Sequence, residues 1–195
     1  MKPIKNFENV QPAGSIDTLP AGAYVCKIEK VTEEKNKSGS GTHLAILFDI
    51  AEGDYRSFFM ADWKAQNRED KFWRGIIWQN IPDEKSEKYD MQCRFFKTFI
   101  NAVEDSNEGF TWDWDEAKLK GKLIGVVFRE MEKQSQRGTV YVTTQADSVC
   151  AAESARNGTA KIPERKTLDT GASSSSPFTP ATKPVDVNVD EPLPF

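Results

Sequence analysis

The sequence predicts a mainly β fold: a five-stranded barrel with one helix between strands three and four, an aromatic and basic insertion, and a disordered C-terminal tail. Three observations carry that expectation. Short runs of alternating apolar and polar residues recur on both sides of the chain's centre. Between them, Cys93, Phe96, Ile100 and Val103 repeat at helical spacing with Phe99 beside them. From Asp169 onward, four consecutive Ser and repeated Pro leave too little apolar surface to offset ordering entropy. The division is an extended leader (1–20), a folded domain (21–165) and an acidic-tipped tail (166–195).

The elements follow in order. The leader carries turn signals at Pro12-Ala-Gly14 and near Pro20. The first strand starts at Gly22, where Tyr24, Cys26 and Ile28 alternate with Val25, Lys27 and Glu29. Glu33–Thr42 is a flexible loop of Gly, Ser and Lys. The second strand is His43–Ile50, with Leu44, Ile46, Phe48 and Ile50 on one face. Glu52-Gly-Asp54 is a tight-turn signal that predicts a hairpin to a third strand, Tyr55–Ala61. Residues 62–90 read as an irregular, partly helical insertion. The helix spans Met91–Glu104, with Asp90 placed to cap it. Strand four is Lys122–Met131, the polar turn is Glu132–Gly138, and strand five is Thr139–Gln145. Residues 147–168 hold at most one short helix. Three strands, a helix and two strands is the order of the OB-fold; a β-sandwich with one helix gives much the same pattern.

Composition narrows the chemistry. The formal net charge is −4, and the tail from Asp169 holds four acids against one base, so the body is nearly neutral. A globally basic nucleic-acid binder is excluded; any such affinity needs a locally basic groove and stacking. Cys26, Cys93 and Cys150 show no metal or redox spacing, which points to buried thiols in a reducing compartment. No apolar run is long enough to span a bilayer, and the N-terminus shows no signal-peptide core, so a cytoplasmic chain without membrane contact is expected.

No enzyme is expected. His43 is the chain's single His, flanked by Thr and Leu, and reads as a packed or surface residue. Asp113, Asp115 and Glu116 are acidic neighbours, but Asp115 is better placed to cap the short segment after it than to bind a metal. No metal site or cofactor follows from the residues.

The binding candidates lie elsewhere. The segment from Asp62 to Gly75 interleaves Trp63, Phe72 and Trp73 with Lys64, Arg68, Lys71 and Arg74. Rings stack on unpaired bases and cations hold phosphates, so the mixture suits a single strand. Oligonucleotides cross strands two and three of an OB-fold between the loops joining strands one to two and four to five. Here those loops hold Lys35 and Lys37, and Lys133 and Arg137. Phe59 and Tyr141, central in their strands, are expected to stack on bases. Arg129 shares the face opposite Phe128, toward groove or water. Trp78, Trp112 and Trp114 are expected to be mostly core.

The last residues, Asp190-Glu191-Pro192-Leu193-Pro194-Phe195, offer an aromatic ring, a carboxylate terminus and acidic side chains to a basic pocket. This end resembles the acidic tip of bacterial and phage single-stranded-DNA-binding proteins. The body also resembles phage-encoded members of that group over roughly residues 20–165. The likeness rests on Lys64-Ala-Gln-Asn-Arg68, Phe72-Trp-Arg-Gly75, Arg94-Phe-Phe-Lys-Thr-Phe99, Glu104-Asp-Ser-Asn107, Trp112-Asp-Trp-Asp115 and Lys118-Leu-Lys-Gly-Lys122. The resemblance implies binding of single-stranded DNA without sequence preference in phage replication or recombination. It also implies a tip that recruits replication and recombination proteins. The tip departs from a dense acidic run, having only Asp186, Asp190 and Glu191, and Leu193 separates its prolines. A protein-interaction adaptor and an RNA binder are the alternatives, and a homo-oligomer stays open.

Overall fold

The computed structural model describes residues 18–36 and 41–168; Lys37, the leader before Thr18, and the tail from Asp169 with its Asp190–Phe195 tip lie outside them. Five strands form one antiparallel sheet: β1 (Gly22–Lys35), β2 (Thr42–Ile50), β3 (Ile76–Asn80), β4 (Leu123–Gln134) and β5 (Val140–Cys150). Their order is β3-β2-β1-β4-β5. Helix α1 (Phe58–Ala65) follows β2, α2 (Tyr89–Ser106) links β3 to β4, and α3 (Ala152–Arg156) follows β5. A 3-10 helix, Glu116–Leu119, precedes β4.

β1 is the shared strand. Its first half pairs with β4, Gly22 opposite Phe128 through Lys27 opposite Leu123. Its length from Cys26 to Lys35 pairs with β2, and the register slips between Ile28 and Lys30. One extra residue there bends a strand and adds twist. Alternation then sorts the side chains. Cys26, Ile28, Ile46, Phe48, Ile50, Ile124, Val126 and Phe128 are buried in one cluster with Phe96, Phe99, Ile100 and Val103 of α2. The expected face of β2 and the helical stripe of α2 are both in place. Asn107 fastens the end of α2: its Nδ2 donates to Val103 O (2.7 Å) and Leu123 O (2.8 Å), and its Oδ1 accepts from Leu123 N (2.9 Å).

The third strand is not where alternation put it. Tyr55–Ala61 contains the start of α1, and β3 lies inside the stretch read as an insertion. The cause is Asp49. Its buried carboxylate accepts from Ile50 N (2.8 Å), Phe59 N (3.0 Å) and Met60 N (3.2 Å), and so takes the free donors of the first turn of α1. Ser57, in the left-handed region at φ 60°, turns the chain into that helix. The cap of α2 also differs: Lys88 occupies that position and Asp90 lies in the first turn, where its charge suits the helix N-terminus. Asp115 does cap, accepting from Ala117 N at 3.1 Å. Residues 166–168, assigned above to the tail, are bonded to β4, with Lys166 N donating to Glu130 O at 2.9 Å.

Burial raises the Asp49 carboxyl above its ordinary range while the three N–H bonds pull the other way. Asp49→Ala strands these buried donors and is expected to cost about 2–4 kcal/mol, measured as a lower urea midpoint at unchanged slope. The pH sign follows from linkage. A folded-state acid with a raised pKa contributes stability that is fully present below the unfolded value, about pH 4. That contribution is lost as pH rises through the folded value. The margin of wild type over Asp49→Asn should therefore be largest in acid and shrink as pH rises.

Candidate nucleic-acid interface

The face of β1–β2–β3 opposite the main core carries rows set by register. Thr32, Ala45 and Trp78 form one row, and Glu34, His43 and Asn80 the next. Ile77 and Gln79 turn the other way and are buried. Trp78, expected in the core, thus stands half-buried on this outer face, its ring 4.7 Å from that of His43 and nearly perpendicular to it. His43 Nδ1 is hydrogen-bonded to Asn36 Oδ1, and Nε2 lies 3.8 Å from Glu34. That environment ties the end of β1 to the start of β2, as a packed His would.

The chain between α1 and β3 is pinned in a definite shape. Gln66 clamps the backbone of Phe72: Oε1 accepts from Phe72 N (3.0 Å) and Nε2 donates to Phe72 O (2.8 Å). The Phe72 ring then has two guanidinium groups on it, Arg68 at 5.0 Å and Arg74 at 5.1 Å from its centroid. Arg68 and Arg74 are exposed, and each has an acidic neighbour, Asp70 at 3.6 Å and Asp62 at 3.2 Å. The exposed Arg68–Asp70 pair is worth about 0–1 kcal/mol, so a phosphate competes with it readily, whereas the Asp62 carboxylate beside Arg74 is largely buried. Lys71 sits 4.9 Å from the Trp63 ring and donates to Lys64 O, while Lys64 itself is exposed. Trp63 is half-buried against the core cluster.

Two of the expected stacking residues are core instead. Phe59 is 5 % exposed, packs edge-on against Phe48 and lies over Phe128 at 6.1 Å. It sits on α1 rather than on a strand, and its ring fills the interior. Trp73 is equally buried, and its Nε1 donates to Phe48 O (3.1 Å) and Gly75 O (3.0 Å). Neither ring has a free face for a base. Arg129 also leaves the set. It pairs with Asp147 at 2.9 Å, both side chains largely buried, so its charge is already met.

The β4–β5 hairpin places the remaining candidates. Tyr141 lies opposite Lys133 in the ladder and is 48 % exposed. Arg137 is exposed in the turn, which Ser135 closes by accepting from Thr139 N. Burial lowers the Lys133 pKa, which fits a half-sunk ammonium. Lys35 is exposed at the end of β1.

Phe72, named with Trp63 and Trp73 in the interleaved segment, is central to the loop arrangement, a weight its sequence context did not give it over its neighbours. Trp114, expected in the core, is 79 % exposed with a left-handed backbone at φ 69°, its ring parallel to that of Phe96 at a centroid distance of 6.3 Å. Nothing local in Trp-Asp-Trp-Asp signals that reversal.

The acidic neighbours serve structure: Lys118 pairs with Asp113, and Asp115 caps. Among the described residues no group of three or more His, Cys, Asp and Glu is arranged to hold a metal, and no helix is long and apolar enough to cross a membrane. Cys26, Cys93 and Cys150 are free thiols. Burial, foremost, raises the Cys26 and Cys150 pKa values. No protein-family model matches the chain, and no curated protein matches it either.

Proposed function

We propose that the chain binds single-stranded DNA without sequence preference during phage replication or recombination. The observation that carries the proposal is Phe72, clamped through its backbone by Gln66 and flanked by the guanidinium groups of Arg68 and Arg74. A base that displaces one guanidinium from the pinned ring gains stacking while the released cation meets a phosphate, the two needs of a single strand. Trp78 and Tyr141 extend the aromatic set, and Lys35, Lys64, Lys71, Lys133 and Arg137 the cationic one. In this reading the sheet is an OB barrel. The helix between the third and fourth strands supports it, as does the contact between the outer strands β3 and β5, which such a barrel brings together. The segment Asp190–Phe195 recruits partner proteins by its acids and ring, and the protein works in the cytoplasm without a cofactor.

One observation favours a second reading. An indole as exposed as that of Trp114, held in a strained backbone, is what a protein-docking adaptor would present. Tryptophan quenching separates the two. Titration with oligo-dT is expected to quench the intrinsic fluorescence, strongly at low salt and weakly at high salt, while duplex DNA has little effect. Unchanged fluorescence at low salt, with no shift of a labelled oligonucleotide on a gel, would overturn the DNA reading.

A further inference from the structure

The two long edges of the β4–β5 hairpin are treated differently by the chain. Along β4, residues that follow α3 lie parallel to the strand: Lys166 N donates to Glu130 O (2.9 Å) and Glu132 N to Lys166 O (2.8 Å), with Arg165 paired to Glu130. Along β5, Val140–Gln145 pairs only with β4 among the described residues. Three consecutive residues there, Val140, Tyr141 and Val142, are 52 %, 48 % and 41 % exposed. The run Val-Tyr-Val-Thr-Thr-Gln holds no charge, no Pro and no Gly. Folded proteins normally blunt such an edge with charge, Pro or a bulge. β3, at the other end of the strand order, is only five residues long, and although it touches β5 it forms no ladder with it among the described residues.

We propose that two copies of the chain join antiparallel through this edge, β5 against β5, into one sheet continuous across a two-fold axis. A two-fold axis normal to the sheet keeps each side chain on its own face, so residues of like parity must face each other. With Val142 on the axis, Val142 meets Val142, Tyr141 meets Thr143 and Val140 meets Thr144. Aromatic and β-branched cross-strand pairs of this type are favourable. An uncharged run also meets its own copy without like-charge repulsion. A pairing of this length buries less than the ~1,600 Å² of a standard interface, so association is weak and depends on concentration. The inference does not rest on DNA binding, and its test contains no DNA.

Sedimentation velocity from low to high micromolar protein is expected to show a monomer–dimer equilibrium. Val142→Lys sets two ammonium groups against each other on the axis and should leave a monomer throughout, with an unchanged circular dichroism spectrum. Val142→Cys should give a disulfide-linked dimer under mild oxidation far faster than wild type or Val140→Cys, because only position 142 faces itself. Three results would overturn the proposal: a wild-type monomer at the highest concentration, a dimer that survives Val142→Lys, or equal cross-linking at 140 and 142. A dimer that survives would place the contact on another surface, such as the Trp114 ring.

Discussion

Gly75→Ala is expected to destabilise the fold by about 3 kcal/mol or more, the upper range for an overpacked core site. A Cβ built on Gly75 would stand 2.3 Å from Phe48 O and 2.7 and 2.8 Å from two atoms of the Phe59 ring. The nearest obstacle is backbone, so no side chain can swing aside. That carbonyl also accepts from Trp73 Nε1, and Gly75 O accepts from Trp73 Nε1 and, at 2.8 Å, from Phe48 N. One methyl group therefore presses on the β2–β3 junction, on the ring that fills the interior and on the buried indole together. Gly53→Ala is the control. Gly53 has nothing within 4 Å of an added Cβ and a φ of 81°, so its cost is conformational alone, about 1 kcal/mol. Urea unfolding followed by tryptophan fluorescence measures both, and equal losses at the two positions would mean that β2 and β3 are not locked through Gly75.

The parts of the fold that were legible are those in which one local pattern repeats long enough to outvote noise. α2 shows its stripe over several turns, and β2 buries Leu44, Ile46, Phe48 and Ile50 as expected, with Ala45, Leu47 and Asp49 between them buried as well. The third strand failed because its determinants are not local. Phe58, Phe59 and Met60 fit a short strand as well as a helix, and the choice is made by Asp49, whose carboxylate takes two N–H groups ten and eleven residues away. β3 was hidden for a related reason. Its inward positions are Ile77 and Gln79, and a buried Gln reads as a break in the apolar alternation. The true strand therefore looked like the tail of a charged insertion.

The candidate site was legible by type and illegible by direction. Aromatic and basic interleaving from Trp63 to Arg74 marked the segment on which the proposed function rests. Which rings face outward depends on partners that sequence does not place. Trp73 is drawn inward by a carbonyl 25 residues away, and the half-buried Phe72 is pinned through its backbone by an amide six residues before it. Trp78 changes face with the register of β3, and one residue of slip would have buried it. Arg129 shows the same limit for charge, since its partner Asp147 lies on the bulged strand β5, where β4–β5 pairing skips a residue.

The largest effect on binding is expected from the Phe72 platform. Phe72→Ala removes one stacking surface, worth about 1–3 kcal/mol per base, or roughly a five- to hundredfold loss of oligo-dT affinity. Arg68→Ala with Arg74→Ala removes two cations and acts on a different quantity. For single strands each lost phosphate contact lowers the slope of log affinity against log salt by about 0.7, so the double variant should lose about 1.4 in slope. Phe72→Ala should leave that slope nearly unchanged, because a ring releases no counterions. The two classes are thus separable in one salt series monitored by tryptophan quenching. Arg129→Ala serves as the internal comparison: it breaks a largely buried pair with Asp147 and should lower stability while leaving the slope intact. If the Arg68/Arg74 variant binds with wild-type affinity and slope, the strand does not run along this loop. The β4–β5 hairpin, with Tyr141, Lys133 and Arg137, would then be the remaining path across the sheet.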